Sequence, residues 1–209
     1  MRIIALTGGI ACGKTTVAGW LREAGAKIID ADAISRELTA PAGEALPLLR
    51  QAFGDGVFHG DGSLDRAALG KIVFGDEAKR ARLNGILHPM IRTRMEEELT
   101  VCRKTGASIV VLEIPLLFEA GMETLADIVV CVSASQEVQI KRLQSRDGLS
   151  RKDALARIRS QWPLAEKERL SHEVIRTDGP MEEVYGSVMR LYQRLVKGAL
   201  NDPIATHLP

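Results

Sequence analysis

The chain has 209 residues, of which 45% are apolar and 26% charged, with a formal net charge of +1. That length can bury a hydrophobic core in one or two domains, and no basic surplus of the kind that tracks nucleic acid or anionic lipid stands out. Three isolated cysteines (Cys12, Cys102 and Cys131), no leader pattern and no apolar run near the ~20 residues of a membrane span point to a cytoplasmic protein, with no membrane, nucleic-acid or obligate protein partner.

Arg2–Leu6 is a short β-branched run that stops at Gly8 and reads as a buried strand. Thr15–Ala24 reads as a helix with Gly25 as its stop, and "AKIID" as a second strand followed by a helix from Ala33. No convincing strand follows until residue 107. Within that gap "FGDGVFHGDGSLD" must be loop or tight turns. Leu83, Leu87, Ile91, Met95 and Leu99 fall on one helical face, and Pro89 predicts a kink or a helix start. The gap is too long for a crossover and predicts a helical subdomain over one end of the sheet. "ASIVVLEI" and "ADIVVCVSA" read as the third and fourth strands. Ser135 can cap a helix running to Arg146 and ended by Gly148, and Ser150–Asp153 forms a capping box for the next. "HEVIRT" is a fifth strand. A last helix from Pro180 carries Val184, Val188, Leu191 and Leu195 on one face, and the tail "NDPIATHLP" is expected to be poorly ordered. Strands alternating with helices give an α/β fold with a parallel sheet.

Gly8-Gly9-Ile10-Ala11-Cys12-Gly13-Lys14-Thr15 matches G-x-x-x-x-G-K-[ST] between a buried strand and a helix, the context that pattern requires. Glycines let successive backbone N–H groups converge on phosphate oxygens, and the helix N-terminus adds partial positive charge. Lys14 reaches the terminal phosphates, and Thr15 offers a hydroxyl to Mg²⁺. Cys12 contributes backbone only. A guanine-binding Asn-Lys-x-Asp signature is missing, and the third strand ends in Glu113 where motor ATPases carry aspartate. A small P-loop kinase or an ATP-binding regulator remains.

Asp30 and Asp32 follow the second strand. Either could take the proton of an attacking hydroxyl, and either could simply cap the next helix. Arg142 and Arg146 share a helix face, with Arg151, Lys152, Arg157 and Arg159 beyond a short break. They read as a closing lid that stabilises a moving phosphoryl group, or as a solvated basic face. His88 sits on an apolar helix, where structural roles outnumber functional ones, and Trp162 reads as packing.

The segments "LTGGIACGKTTVA", "IIDADAISREL", "LHPMIR", "VVLEIPLLFEAG", "KRLQSRDGLS" and "ARIRSQWPLAEK" occur in the order and spacing of dephospho-CoA kinases, so the chain resembles that family from Arg2 to the last helix. The resemblance implies ATP-dependent phosphorylation of the ribose 3′-hydroxyl of dephospho-CoA, with Mg²⁺. It also implies a nucleoside monophosphate kinase-like three-layer α/β fold with a five-stranded parallel sheet. The core would comprise residues 1–34, 107–140 and 172–209, with a helical substrate-binding insertion at 35–106 and a lid at 141–171. By position, Gly9, Ala11, Cys12, Gly13, Lys14, Thr15, Thr16, Arg142, Arg146 and Gln161 fall on the ATP side, with Thr15 on the metal. Asp32, His88, Pro115, Leu116 and Leu117 fall on the acceptor side, and Asp32, Lys14 and Arg142 at the catalytic positions. The chain departs from the family at Cys12 and Thr15, where serine is usual, at Trp162, where a smaller residue is usual, and at "HEVIRTDG", where the family has an asparagine-rich turn.

Overall fold

In the computed structural model, which describes residues 1–198, the chain divides into two units. One comprises residues 1–29 together with the chain from 101 onward, and the other residues 30–100. The tail "NDPIATHLP" lies outside the described residues. In chain order the elements are β1 (Arg2–Gly8), α1 (Lys14–Glu23), β2 (Lys27–Asp30), α2 (Ala31–Leu38), α3 (Leu46–Phe53), α4 (Arg66–Phe74) and α5 (Glu77–Lys104). After these come β3 (Ile109–Glu113), β4 (Ile128–Ser133), α6 (Gln136–Asp147), α7 (Arg151–Arg159), α8 (Leu164–Arg169), β5 (Glu173–Arg176) and α9 (Met181–Val196).

The five strands form one parallel sheet in the order β2-β3-β1-β4-β5, the α/β architecture expected. In register, Ile4 of β1 lies opposite Val111 of β3 and Ile128 of β4. Ile4, Ala5, Leu6, Val129, Val130 and Val132 are fully buried, as strands covered on both faces must be. Val17, Ala18 and Leu21 of α1 pack into the sheet's core with Val184, Val188, Leu191 and Leu195 of α9, the face expected of the last helix. Each buried Val or Leu side chain here contributes about 1.5–3 kcal/mol by leaving water. A smaller cluster joins Ile140, Leu143 and Ala154 to Ile10, Leu149, Leu155 and Ile158, so α6 and α7 pack beneath the first part of the glycine-rich loop. Among the described residues no helix is long and apolar enough to cross a membrane.

The second unit is helical, its one bridge pairing Phe58 with Leu64 around the glycine-rich turns. Asp65 caps α4 by accepting from the N–H groups of Ala67 and Ala68, and Arg66 donates to the carbonyls of Arg36 and Thr39 at the end of α2.

Three local expectations are corrected. α2 begins at Ala31 and not Ala33, because the Asp30 carboxylate accepts from the Asp32 N–H at 2.8 Å and starts the helix two residues early. Of the kink and the helix start left open at Pro89, the start is excluded, because α5 runs through the proline. The proline has no N–H for the carbonyl of Gly85, one turn back on a solvent-facing stretch where water can serve that oxygen. Ser135 stands at the N-cap of α6, but its side chain makes no cap bond; its backbone N–H donates to Asp178 Oδ1 at 2.7 Å.

Candidate nucleotide site

The loop between β1 and α1 is shaped by its own glycines and by side chains that pull its carbonyls outward. Gly8 ends β1 at φ +145°, and a Cβ there would stand 2.0 Å from the Val132 carbonyl oxygen, so only glycine fits against β4. Gly13 takes the left-handed conformation at the start of α1, and Ala11 also has positive φ. The Ile10 carbonyl accepts from Gln139 Nε2 (2.8 Å), the Ala11 carbonyl from Arg142 Nη1 (3.1 Å) and the Cys12 carbonyl from Thr177 Oγ1 (2.9 Å). In a trans peptide the N–H points opposite to the C=O. The N–H groups of Ala11 and Gly13 are therefore aimed away from these three side chains, while that of Cys12 closes a turn to the Gly9 carbonyl at 3.3 Å. The Ile10 N–H donates to Gln161 Oε1 at 2.9 Å.

Ala11, Cys12, Gly13, Lys14, Thr15 and Thr16 line a cavity of about 480 Å³ together with Arg142, Arg146 and Thr177. Trp20, Met181 and Val184 give the same cavity an apolar wall. The structure thus gathers Ala11 to Thr16 and both arginines of the set expected on the donor side, while Gly9 and Gln161 do not line this cavity. The two arginines differ in what holds them. Arg142 is half-buried and gives Nη1 to Ala11 O and Thr177 Oγ1 and Nη2 to Thr177 O, at 2.7–3.1 Å. Arg146 is exposed and bidentate with Asp147, whose carboxyl it draws below the usual range, and Arg157 reaches the same carboxylate.

Thr15 Oγ1 donates to Glu113 Oε1 at 3.1 Å. Glu113 is the last residue of β3, in register with Leu6 of β1, and the loop leaving β1 returns the Thr15 hydroxyl, at the start of α1, to that carboxylate. The sequence reading used Glu113 only as a missing aspartate. Its signal was a carboxylate closing a strand that neighbours the loop strand. Gln139 and Thr177 were also missed; neither belongs to a motif, and each acts by orienting backbone. Next to Thr177, the Asp178 carboxyl is held below the usual range by the Ser135 backbone N–H and hydroxyl, with Arg142 and Arg176 adding to the effect.

Cys12 turns its side chain into the core, and burial pushes its thiol up despite Lys14 nearby. Burial likewise pushes Cys131, in β4, to about 12. Neither is poised as a nucleophile.

Pro115, Leu116 and Leu117 form the turn after β3; Leu117 is fully buried, and the Pro115 carbonyl accepts from Thr7 Oγ1 at 3.3 Å. Asp32 and His88 belong to the second unit. Asp32 is exposed in the first turn of α2, where its charge suits the helix N-terminus, and Asp30 fills the cap. His88 is half-buried on α5 beside Pro89.

The chain matches the dephospho-CoA kinase family model over residues 2–183. It is 45% identical to a dephospho-CoA kinase of Moorella thermoacetica, covering 97% of this chain and 96% of that protein. Among solved structures it aligns with a dephospho-CoA kinase from Campylobacter jejuni at a TM-score of 0.70 and 30% identity, covering 95% of this chain and 100% of that one. A shikimate kinase from Acinetobacter baumannii is similar in fold, with a TM-score of 0.54 at 17% identity over 96% of each chain.

Proposed function

The chain belongs to the dephospho-CoA kinase family, and we propose how its residues carry that family's reaction, the last step of coenzyme A synthesis. The reaction phosphorylates the ribose 3′-hydroxyl of dephospho-CoA with ATP as donor. The observation that carries the donor side is the loop whose carbonyls are bonded outward to Gln139, Arg142 and Thr177. Such a loop offers backbone N–H groups already aimed at an anion, so little reorganisation is needed when phosphate arrives.

Lys14 lines the cavity and carries the positive charge placed against the transferred phosphate. Arg142 anchors the loop while keeping its guanidinium at the cavity wall, and Arg146 adds a second charge from the same helix face. Asp32 accepts the proton of the 3′-hydroxyl as it attacks. Asp30 already caps α2, so the cap reading does not account for the second carboxylate. His88 and the turn at Pro115–Leu117 serve the acceptor side.

The donor chemistry of the site fits Mg²⁺. A hydroxyl and a carboxylate, both hard oxygen donors, meet at Thr15 and Glu113. Among the described residues no group of three or more His, Cys, Asp or Glu offers a full protein cage. A cation that keeps waters and phosphate oxygens in its shell needs no such cage. When bound, it would offset charge on the phosphates; Thr15 and Glu113 are the residues that would hold it.

The test is ADP release from Mg-ATP with dephospho-CoA, AMP, UMP or no acceptor. Dephospho-CoA is expected to accelerate release far more than either monophosphate. Equal or faster turnover with AMP or UMP would replace this reading with that of a nucleoside monophosphate kinase, and a rate indifferent to acceptor would leave an ATP-binding regulator.

A further inference from the structure

Lys167, on α8, has a fully buried side chain, the largest such side chain among the described residues. Its Nζ lies 2.7 Å from Glu119 Oε1 and donates to the Pro115 carbonyl at 3.0 Å. The same Glu119 oxygen accepts from the Trp162 backbone N–H at 3.1 Å. The residue before Trp162 is Gln161, whose side chain holds the Ile10 N–H of the phosphate loop. Thr7, one residue before Gly8, donates to the same Pro115 carbonyl. A chain of polar contacts thus runs from the phosphate loop through Gln161, Trp162, Glu119 and Lys167 to the Pro115 turn, and back to β1.

A buried ion pair is a poor device for stability, because the desolvation of two charges consumes most of their attraction, and apolar replacements often do as well. What such a pair does supply is a fixed geometry. Lys167 and Glu119 fix one thing in particular: the carbonyl of Pro115 and, through it, the turn that ends in the buried Leu117. We propose that Lys167 and Glu119 are a positioning pair for acceptor binding, holding the Pro115–Leu117 turn in register with the phosphate loop. Neither residue touches the reacting atoms. The proposal rests on the reading above that this turn serves the acceptor.

Replacing both charges at once, with Lys167→Met and Glu119→Gln together, leaves no stranded buried ion. The introduced amide still accepts from Trp162, so what is lost is the hold on Pro115. The expected result is a KM for dephospho-CoA raised about tenfold, kcat within about threefold and ATP affinity by direct titration within about twofold of the parent. Hydrogen exchange in a peptide spanning 114–122 is expected to quicken about tenfold, with the phosphate-loop peptide unchanged. Faster exchange without a change in KM would make the pair purely structural and overturn the proposal. So would unchanged exchange, or ATP affinity falling in step with acceptor KM. Thr7→Val guards against misfolding of the double variant, because it removes the other donor to the Pro115 carbonyl and strands no charge. Exchange in the 114–122 peptide and acceptor KM should both rise by about threefold, and faster exchange with an unmoved KM would overturn the proposal. If the parent fails to phosphorylate dephospho-CoA, the functional reading falls, while the exchange measurement still reports whether the pair holds the turn.

Discussion

Asp30 and Asp32 stand two residues apart, and the structure assigns the cap to the first. Asp30 Oδ1 accepts from the Asp32 N–H, and Arg36 approaches the other oxygen at 3.6 Å. Asp30→Ala should therefore cost about 1 kcal/mol of stability, a loss typical of an N-cap. Asp32→Asn keeps size and cannot take a proton at neutral pH. It should leave the thermal midpoint near the parent's while kcat falls by roughly 10²–10⁴, the usual share of a general base. Measuring kcat and midpoint for both variants separates the roles, and an Asp32→Asn enzyme at the parent rate removes Asp32 from the mechanism. Arg142 is the second residue whose role the structure sharpens. The basic helix face was visible in the sequence, but the three bonds to Ala11 and Thr177 were not, because their acceptors lie at the loop and beyond β5. Lysine cannot reproduce that planar fork. Arg142→Lys should weaken ATP binding and lower the midpoint together, since a carbonyl left unpaired costs about 1–3 kcal/mol. Tight ATP binding by this variant, read by titration calorimetry, would show that the loop holds its shape without the anchor.

At the scale of elements, the strands were the most legible part of the chain. β1, β3 and β4 are β-branched runs bounded by turns, and burial on both faces leaves their pattern little freedom. Helix ends were less legible, because caps depend on which carboxylate or hydroxyl wins. Ser150 caps α7 as expected, accepting from the Asp153 N–H, while the Asp153 carboxylate accepts a hydrogen bond from the Ser150 hydroxyl and not from a backbone N–H. Ser135 loses its cap role to a contact with Asp178 that is 43 residues away in sequence. α5 is instructive, because the sequence left a kink or a start open at Pro89 and the structure excludes only the start. Pro89 disfavours a helix interior, yet the helix continues past it into a face, Ile91, Met95 and Leu99 at steps of four, that is buried. Gly85, one turn earlier, has open space where an alanine methyl would stand, with nothing but the helix's own adjacent backbone near it. Gly85→Ala should thus stabilise the protein by about 1 kcal/mol, the intrinsic helix preference of alanine over glycine. That corresponds to about 2–4 °C in midpoint for a chain of this size. A destabilised variant in the melting curve would mean that Gly85 is needed to accommodate the proline ring.

Across the whole molecule, the sequence made the parallel α/β class and the phosphate loop readable, since both are local patterns. It could not show the strand order that seats β3 between β2 and β1 and so brings Glu113 to Thr15. Nor could it show that segments from 139, 142, 161 and 177 converge on one loop, because each contact spans more than a hundred residues. Asp178 ties this convergence to pH. It joins the turn after β5 to the start of α6 through Ser135, and its carboxyl sits below the usual range. Asp147, Glu137 and Asp65 are held low as well, the first two by arginines and the third mainly by the Ala68 N–H. A carboxyl whose folded pKa is depressed contributes stability that is complete above its unfolded value and is lost as pH falls through the folded one. The midpoint should therefore vary little from these groups between pH 8 and 5, and should drop as acid reaches the carboxylate range near 4 and below. Asp178→Asn keeps an oxygen for the Ser135 N–H but cannot titrate. At pH 7 it should melt slightly below the parent, having lost the charge-assisted part of that bond. On acidification its decline should be shallower, so the gap between the two proteins narrows below pH 4. Thermal melts of both across pH 2.5–8 decide the matter: parallel curves would show that Asp178 binds its proton equally in folded and unfolded chains, and would detach the turn after β5 from the acid response of the nucleotide site.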